Sequence, residues 1–251
     1  MNAKIASISA AVALACATAA VPASAAFTGS AGLGVHAYDM GYVDTDPVVF
    51  PVPAINVENE WFYMKGLEIG GFLLKTPRHN LMLGVSYMPM SFDASDSDNA
   101  RMKLLDDRDP SVFINATYAF DTGFGLLQAS IGADISGKSE GLTSDVSFMK
   151  RFDFGRFGLT PQVGATWTSE KYNDYYYGVS AAEHKRSGIA AYEADAGISP
   201  YVRLMADMHL TGNWSLYAET SVHFLSKEMK DSPMVEDDAM VGFGVGVSYH
   251  F

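Results

Sequence analysis

Val241-Gly242-Phe243-Gly244-Val245-Gly246-Val247-Ser248-Tyr249-His250-Phe251 is the stretch on which the reading of this chain turns. Its odd positions form an unbroken apolar series, and its even positions hold only glycine, serine and histidine. A spacing of two puts the two sets on opposite faces of a β-strand, whereas a helix needs spacings of three and four. The sequence then stops on an aromatic residue.

The same alternation recurs upstream. In Asn213–Phe224, Trp214, Leu216, Ala218, Thr220, Val222 and Phe224 oppose Asn213, Ser215, Tyr217, Glu219, Ser221 and His223. Segments 200–210, 157–168 and 126–135 behave alike. Each is about 9–12 residues, the length that a tilted strand needs to cross a bilayer and longer than most strands of soluble sheets. Between them, tight turns (Asp121-Thr122-Gly123, Phe154-Gly155-Arg156, Thr211-Gly212-Asn213) alternate with long polar loops (93–109, 170–199, 226–238). Short turns on one side and long loops on the other are the asymmetry of transmembrane barrels. The spacing therefore predicts an all-β, antiparallel, up-and-down transmembrane β-barrel.

A first count gives 11 strands, and single-chain barrels carry an even number. Placing Phe251 in the periplasm puts the long loops outside and the tight turns inside. One further reversal is then required upstream, and Glu58-Asn59 is the best place for it. The expectation is 12 strands, with 10 as the alternative. The final strand, with Val247, Tyr249 and Phe251 on its apolar face, resembles the signal read by the outer-membrane barrel assembly machinery, which pairs with exposed strand edges.

At the other end, Lys4, the small apolar run 5–21 and Ala23-Ser24-Ala25 read as a cleavable signal peptide over residues 1–25, with the barrel over 26–251. A lipoprotein anchor at Cys16 is the rival, disfavoured because Ala13 stands where a large aliphatic residue is wanted. Cys16 is the only cysteine, so the exported chain has no disulfide and no thiolate metal site. Removing residues 1–25 takes one lysine and no acid, moving the formal net charge from −12 to −13. So acidic a chain is a poor nucleic-acid binder.

A secreted soluble sandwich or lipocalin-like barrel shows the same alternation with its faces reversed. The polar faces, however, hold Asp134, Arg203, Asp207, His209, Glu219 and His223, too many ionisable groups for a dry core. Arg203, Asp207 and Glu219 are the candidate lumen charges. If His209 faces Asn213 across the turn, Arg203 faces Glu219 directly; the alternative is two separately hydrated side chains. The acidic loops around 93–109 and 226–238 either meet divalent cations that bridge lipopolysaccharide or are simply solvated, and their spacing fits no calcium-loop pattern. Neither a Gly-x-Ser-x-Gly elbow nor a His-Glu-x-x-His motif is present, no cofactor is implied, and the reading is non-enzymatic. Gly242-x-Gly244-x-Gly246 lies within a strand and is not a nucleotide loop.

Several stretches together resemble the MipA/OmpV family, the MltA-interacting proteins: Leu105-Asp106-Asp107-Arg108-Asp109, Tyr175-Tyr176-Tyr177-Gly178-Val179-Ser180 with Glu183 following, Asp231-Ser232-Pro233, and the ending Gly246–Phe251. The resemblance implies an outer-membrane scaffold connecting a lytic murein transglycosylase with a murein synthase. Other members are described as porin-like channels or as adhesins. Under the scaffold reading, Tyr175, Tyr176, Tyr177, Ser180 and Glu183 are candidate partner contacts, because adjacent aromatics in a polar loop invite a partner. The alternative is that these tyrosines plug the barrel mouth. The topology places the loop outside, away from periplasmic enzymes.

Overall fold

The computed structural model describes residues 26–251; the expected signal peptide and Cys16 lie outside the described residues. Fourteen strand segments follow in order: β1 (Thr28–Asp39), β2 (Val48–Pro53), β3 (Asn56–Glu58), β4 (Phe62–Lys65), β5 (Glu68–Lys75), β6 (His79–Met88), β7 (Ser111–Asp121), β8 (Leu126–Asp134), β9 (Leu142–Met149), β10 (Phe152–Phe154), β11 (Phe157–Thr168), β12 (Gly197–His209), β13 (Trp214–Phe224) and β14 (Ala239–His250). β2 and β3 lie one after the other along β1, and β9 and β10 lie likewise along β11. The segments therefore make twelve barrel strands, as the parity argument requires. All ladders are antiparallel.

The ring closes where β14 pairs with β1, from Asp39↔Val241 to Ser30↔His250. Phe251 completes this ladder: its N–H donates to the Gly29 carbonyl at 3.0 Å. The reversal expected near Glu58 occurs at 59–61. There the Asn59 side chain accepts from the N–H groups of Trp61 and Phe62 at 2.8 and 2.7 Å, closing the turn.

The alternation sorts as a membrane demands. Val241, Phe243, Val245, Val247, Tyr249 and Phe251 are all exposed on the outer face, and so are Leu33, Val35, Ile131, Val163 and Val202 elsewhere in the wall. At the short-turn end, Trp61, Phe62, Phe124, Phe154, Phe157 and Trp214 are exposed, forming an aromatic girdle. The glycines of β14 have a packing reason. A Cβ at Gly242, Gly244 or Gly246 would come within 2.5–2.6 Å of the rings of Tyr38, His36 and Tyr217, which lie across the inner face.

One register differs from expectation. Arg203 faces Ser221, and Glu219 faces Met205. Asn213 does not face His209, because β14 holds it: its carbonyl accepts from His250 N–H at 2.8 Å and its Nδ2 donates to His250 O at 2.7 Å. The loop becomes 211–213, with Gly212 at φ 60°, and Leu210 N–H bonds Trp214 O. Each residue of β12 thus meets a partner two places further on.

The long connections gather at the other end and carry helices α1 (Glu170–Tyr177), α2 (Ala181–Ser187) and α3 (Lys227–Lys230). Among the described residues no helix is long and apolar enough to cross a membrane. The loops fold together into a cap with its own apolar core, including Tyr42, Phe92, Met102, Phe113, Tyr176, Tyr177, Val179 and Met234.

Candidate functional site

The cap is built on α1. Ser169 caps it, and the spacing of four sets Tyr172 and Tyr176 on one face, their rings 4.9 Å apart. Tyr176 is fully buried; its hydroxyl donates to the Asp109 carbonyl at 3.2 Å and lies 3.0 Å from Ser111 Oγ. Tyr177 is 1% exposed, and Tyr42 donates to the Tyr176 carbonyl at 3.1 Å. Tyr175 is half-buried and accepts from Asp109 N–H at 2.8 Å. Burial pushes the phenols of Tyr172, Tyr176 and Tyr177 well above their ordinary range, so they remain neutral donors. Tyr176 and Tyr177 therefore belong to the core of the cap and present no surface to a partner.

Glu183 is the electrostatic centre of the cap. Ser180 and Glu183 form a capping box on α2: the Ser180 hydroxyl accepts from Glu183 N–H, and Glu183 Oε2 accepts from Ser180 N–H at 2.9 Å. The other oxygen, Oε1, accepts from Asp106 N–H at 3.0 Å and from Arg108 at 2.9 Å. Arg108 also donates to the carbonyls of Asp106 and Gly178. These donors overcome the burial penalty and hold the Glu183 carboxyl down at about 2. Ser232 adds a third loop by donating to the Tyr177 carbonyl at 2.6 Å.

Beneath the cap the lumen is polar. Glu219 meets His36 Nδ1 at 3.3 Å, not Arg203. Asp145 accepts from Thr166 at 2.9 Å and from Tyr201 at 3.2 Å, and His223 stacks on Tyr201 with centroids 4.8 Å apart. Arg203 Nε is buried and meets no hydrogen-bond partner among the described residues. Nearer the short turns, Asp207 receives both Arg151 nitrogens, Nη2 at 2.9 Å. All three lumen charges anticipated in sequence thus share the interior, but the direct Arg203–Glu219 pair is replaced by His36–Glu219 and Arg151–Asp207. Among the described residues no group of three or more His, Cys, Asp or Glu side chains could hold a metal ion.

The family model for MltA-interacting protein MipA matches residues 21–251. The chain belongs to that family. It is 36% identical over 222 residues to the MltA-interacting protein of Escherichia coli K12, covering 88% of this chain and 90% of that one. It is 34% identical to the outer membrane protein YiaT of the same organism, covering 80% and 81%. Among solved structures, an outer membrane channel from Pseudomonas putida F1 superposes with a TM-score of 0.44 at 12% identity, over 92% of this chain and 99% of that one. The chain is thus an outer-membrane β-barrel of the MipA family, and the relatives' names are those of interacting and outer-membrane proteins. Three stretches that carried the family resemblance, 105–109, 175–183 and 231–233, meet in the cap.

Sequence reasoning missed Arg151, His36 and Asp145, because pairing partners on distant strands leave no local signal. Ser180 and Glu183, expected as partner contacts, instead form a capping box, for which the Ser-x-x-Glu spacing was the available signal.

Proposed function

We propose that this chain is a non-enzymatic scaffold that retains a lytic murein transglycosylase, together with a murein synthase, at the periplasmic face of the outer membrane. What supports this reading is the packed cap of outer loops, in which Tyr176 and Met234 are fully buried, a feature that favours a structural over a conducting role. The relative named MltA-interacting protein supports the choice of partner. The tyrosine loop lies on the wrong side for such an enzyme, so the docking surface is the short-turn rim. The exposed turn residues beyond the aromatic girdle, around Gly123, Arg156 and Gly212, provide the contacts there. Val247, Tyr249 and Phe251 remain the proposed signal to the assembly machinery, and lipopolysaccharide surrounds the outer half.

Photo-crosslinkers placed singly at Trp61, Phe124 and Arg156, and at Tyr175 as the outer control, test the scaffold in intact cells. The rim positions are expected to capture a transglycosylase and Tyr175 none. Failure to retain any murein hydrolase or synthase rejects the proposal.

A polar lumen with Arg203 Nε unpartnered favours a second reading, a gated small-solute channel. Conductance in a planar bilayer separates the two.

A further inference from the structure

The barrel wall contains a window. The β4–β5 hairpin is short: its turn reaches only to Ile55, between β2 and β3, where Gly66 N–H donates to Ile55 O, and to Tyr87 on β6, whose N–H donates to Leu67 O. Above that level β2 pairs with β1 alone. Ala54 N–H donates to Gly32 O, so the even residues of β2 point their backbone groups at β1 and the odd ones point into the opening. Those odd residues are Val49, Pro51 and Pro53, and among the described residues none makes a backbone hydrogen bond across the gap.

The far margin follows the same parity. Tyr87 bonds the hairpin and Phe92 exchanges both hydrogen bonds with Arg108 on the opposite side, so Pro89 and Ser91 face the opening. The Thr45↔Ser97 bridge closes the window above. Three prolines (51, 53 and 89) thus stand where ladder donors would otherwise be. An edge without N–H groups does not accept an added peptide strand, which argues against a second copy or a partner's strand as the occupant.

The window opens onto lipid. Pro53 is level with Leu33 and Val247, and Pro51 with Val35 and Val245, and these four aliphatic neighbours are exposed on the bilayer face. Behind it the side chains are apolar: Phe50 is buried on β2 and stacks on Tyr38 at 6.0 Å, and Met90 is buried on the other margin. At the upper corner one cavity is lined by Met40, Val48 and Phe92 together with Asp46, Asp93 and Asp96. Partial desolvation, with Asp93 and Asp107 nearby, pushes the carboxyl of the exposed Asp96 up, a crowding that a cation relieves.

We infer that this window is a lateral binding site for a single-chain amphiphile with a cationic head. The hydrocarbon tail lies between the proline-blocked margins against Phe50 and Met90, and the head sits among Asp46, Asp93 and Asp96 outside the apolar belt.

The test uses the whole protein in phosphatidylcholine nanodiscs with a diazirine-tailed dodecyltrimethylammonium probe. Saturable adducts are expected on the segments around Phe50 and Met90, competed by plain dodecyltrimethylammonium and not by dodecyl sulfate. Asp46→Asn with Asp96→Asn, two exposed positions, should weaken the probe roughly two- to fivefold. Phe50→Ala should reduce adduct formation without changing the head-group preference. Non-saturating adducts spread equally to Val163 and Val202 would show ordinary annular lipid and overturn the proposal. Equal competition by dodecyl sulfate would also overturn it, as would hydrogen-exchange protection of the Val49 amide without probe.

Discussion

Arg108 reaches Glu183 across 75 residues of sequence, their charged groups 2.9 Å apart and almost wholly out of solvent. Breaking a buried pair from one side leaves an uncompensated charge, so Glu183→Ala is expected to destabilise the cap by about 3–5 kcal/mol. The measurement is trypsin cleavage at Lys185 and Arg186 on intact cells: resistant in the wild type, rapid in the variant, with the barrel still heat-modifiable on gels.

The same carboxylate sets an acid limit. Its pKa falls from an ordinary 4.5 to about 2 on folding, so its stabilisation is complete above 4.5 and is lost as pH falls through 2. Cap protection should stay flat from neutrality to about pH 5 and then decline toward pH 2. Hydrogen exchange of the α2 amides at graded pH checks this, and a decline centred near pH 6 would contradict it.

Gly244 lies beneath the His36 ring, and a Cβ there would stand 2.6 Å from it. Gly244→Val should overpack the inner wall by roughly 1–3 kcal/mol and lower the temperature at which the folded gel band is lost. Gly66, whose Cβ would meet nothing within 4 Å, is not a neutral control, because its φ of 58° resists a side chain.

Conductance offers a test of the plug. The wild-type barrel is expected to be electrically silent. Tyr176→Ala combined with Glu183→Ala, which removes the ring bonded to Asp109 and the ion pair, should give open events. A wild-type protein that conducts freely would reject the plug and favour the porin reading.

The barrel was almost fully legible in the sequence because period-two alternation reports directly on which face meets lipid, and chain parity supplied the hidden turn at Asn59. Register was less legible. It depended on Asn213 being captured by His250, a contact between residues that alternation alone does not link. The plug could be stated only as one of two alternatives. Tyr175–Tyr177 look alike in sequence, and what buries Tyr176 and Tyr177 includes Ser111 and Tyr42, on a strand and a loop far away. The β3–β4 reversal at Glu58-Asn59 was expected, but not the short β4–β5 hairpin or the opening above it, since nothing in Val48–Pro53 announces which neighbour will stop short.

The seam between β1 and β14 is stitched twice. Below, the ladder ties Asp39 to Val241; above, Val43 N–H donates to Met234 O at 2.9 Å and Tyr42 bridges Val235. Part of the lid's core, Tyr42 and Met234, comes from loops flanking that seam, so opening the seam removes part of the lid's support. Resistance of the outer loops to protease is thus expected to report on whether the circle is complete.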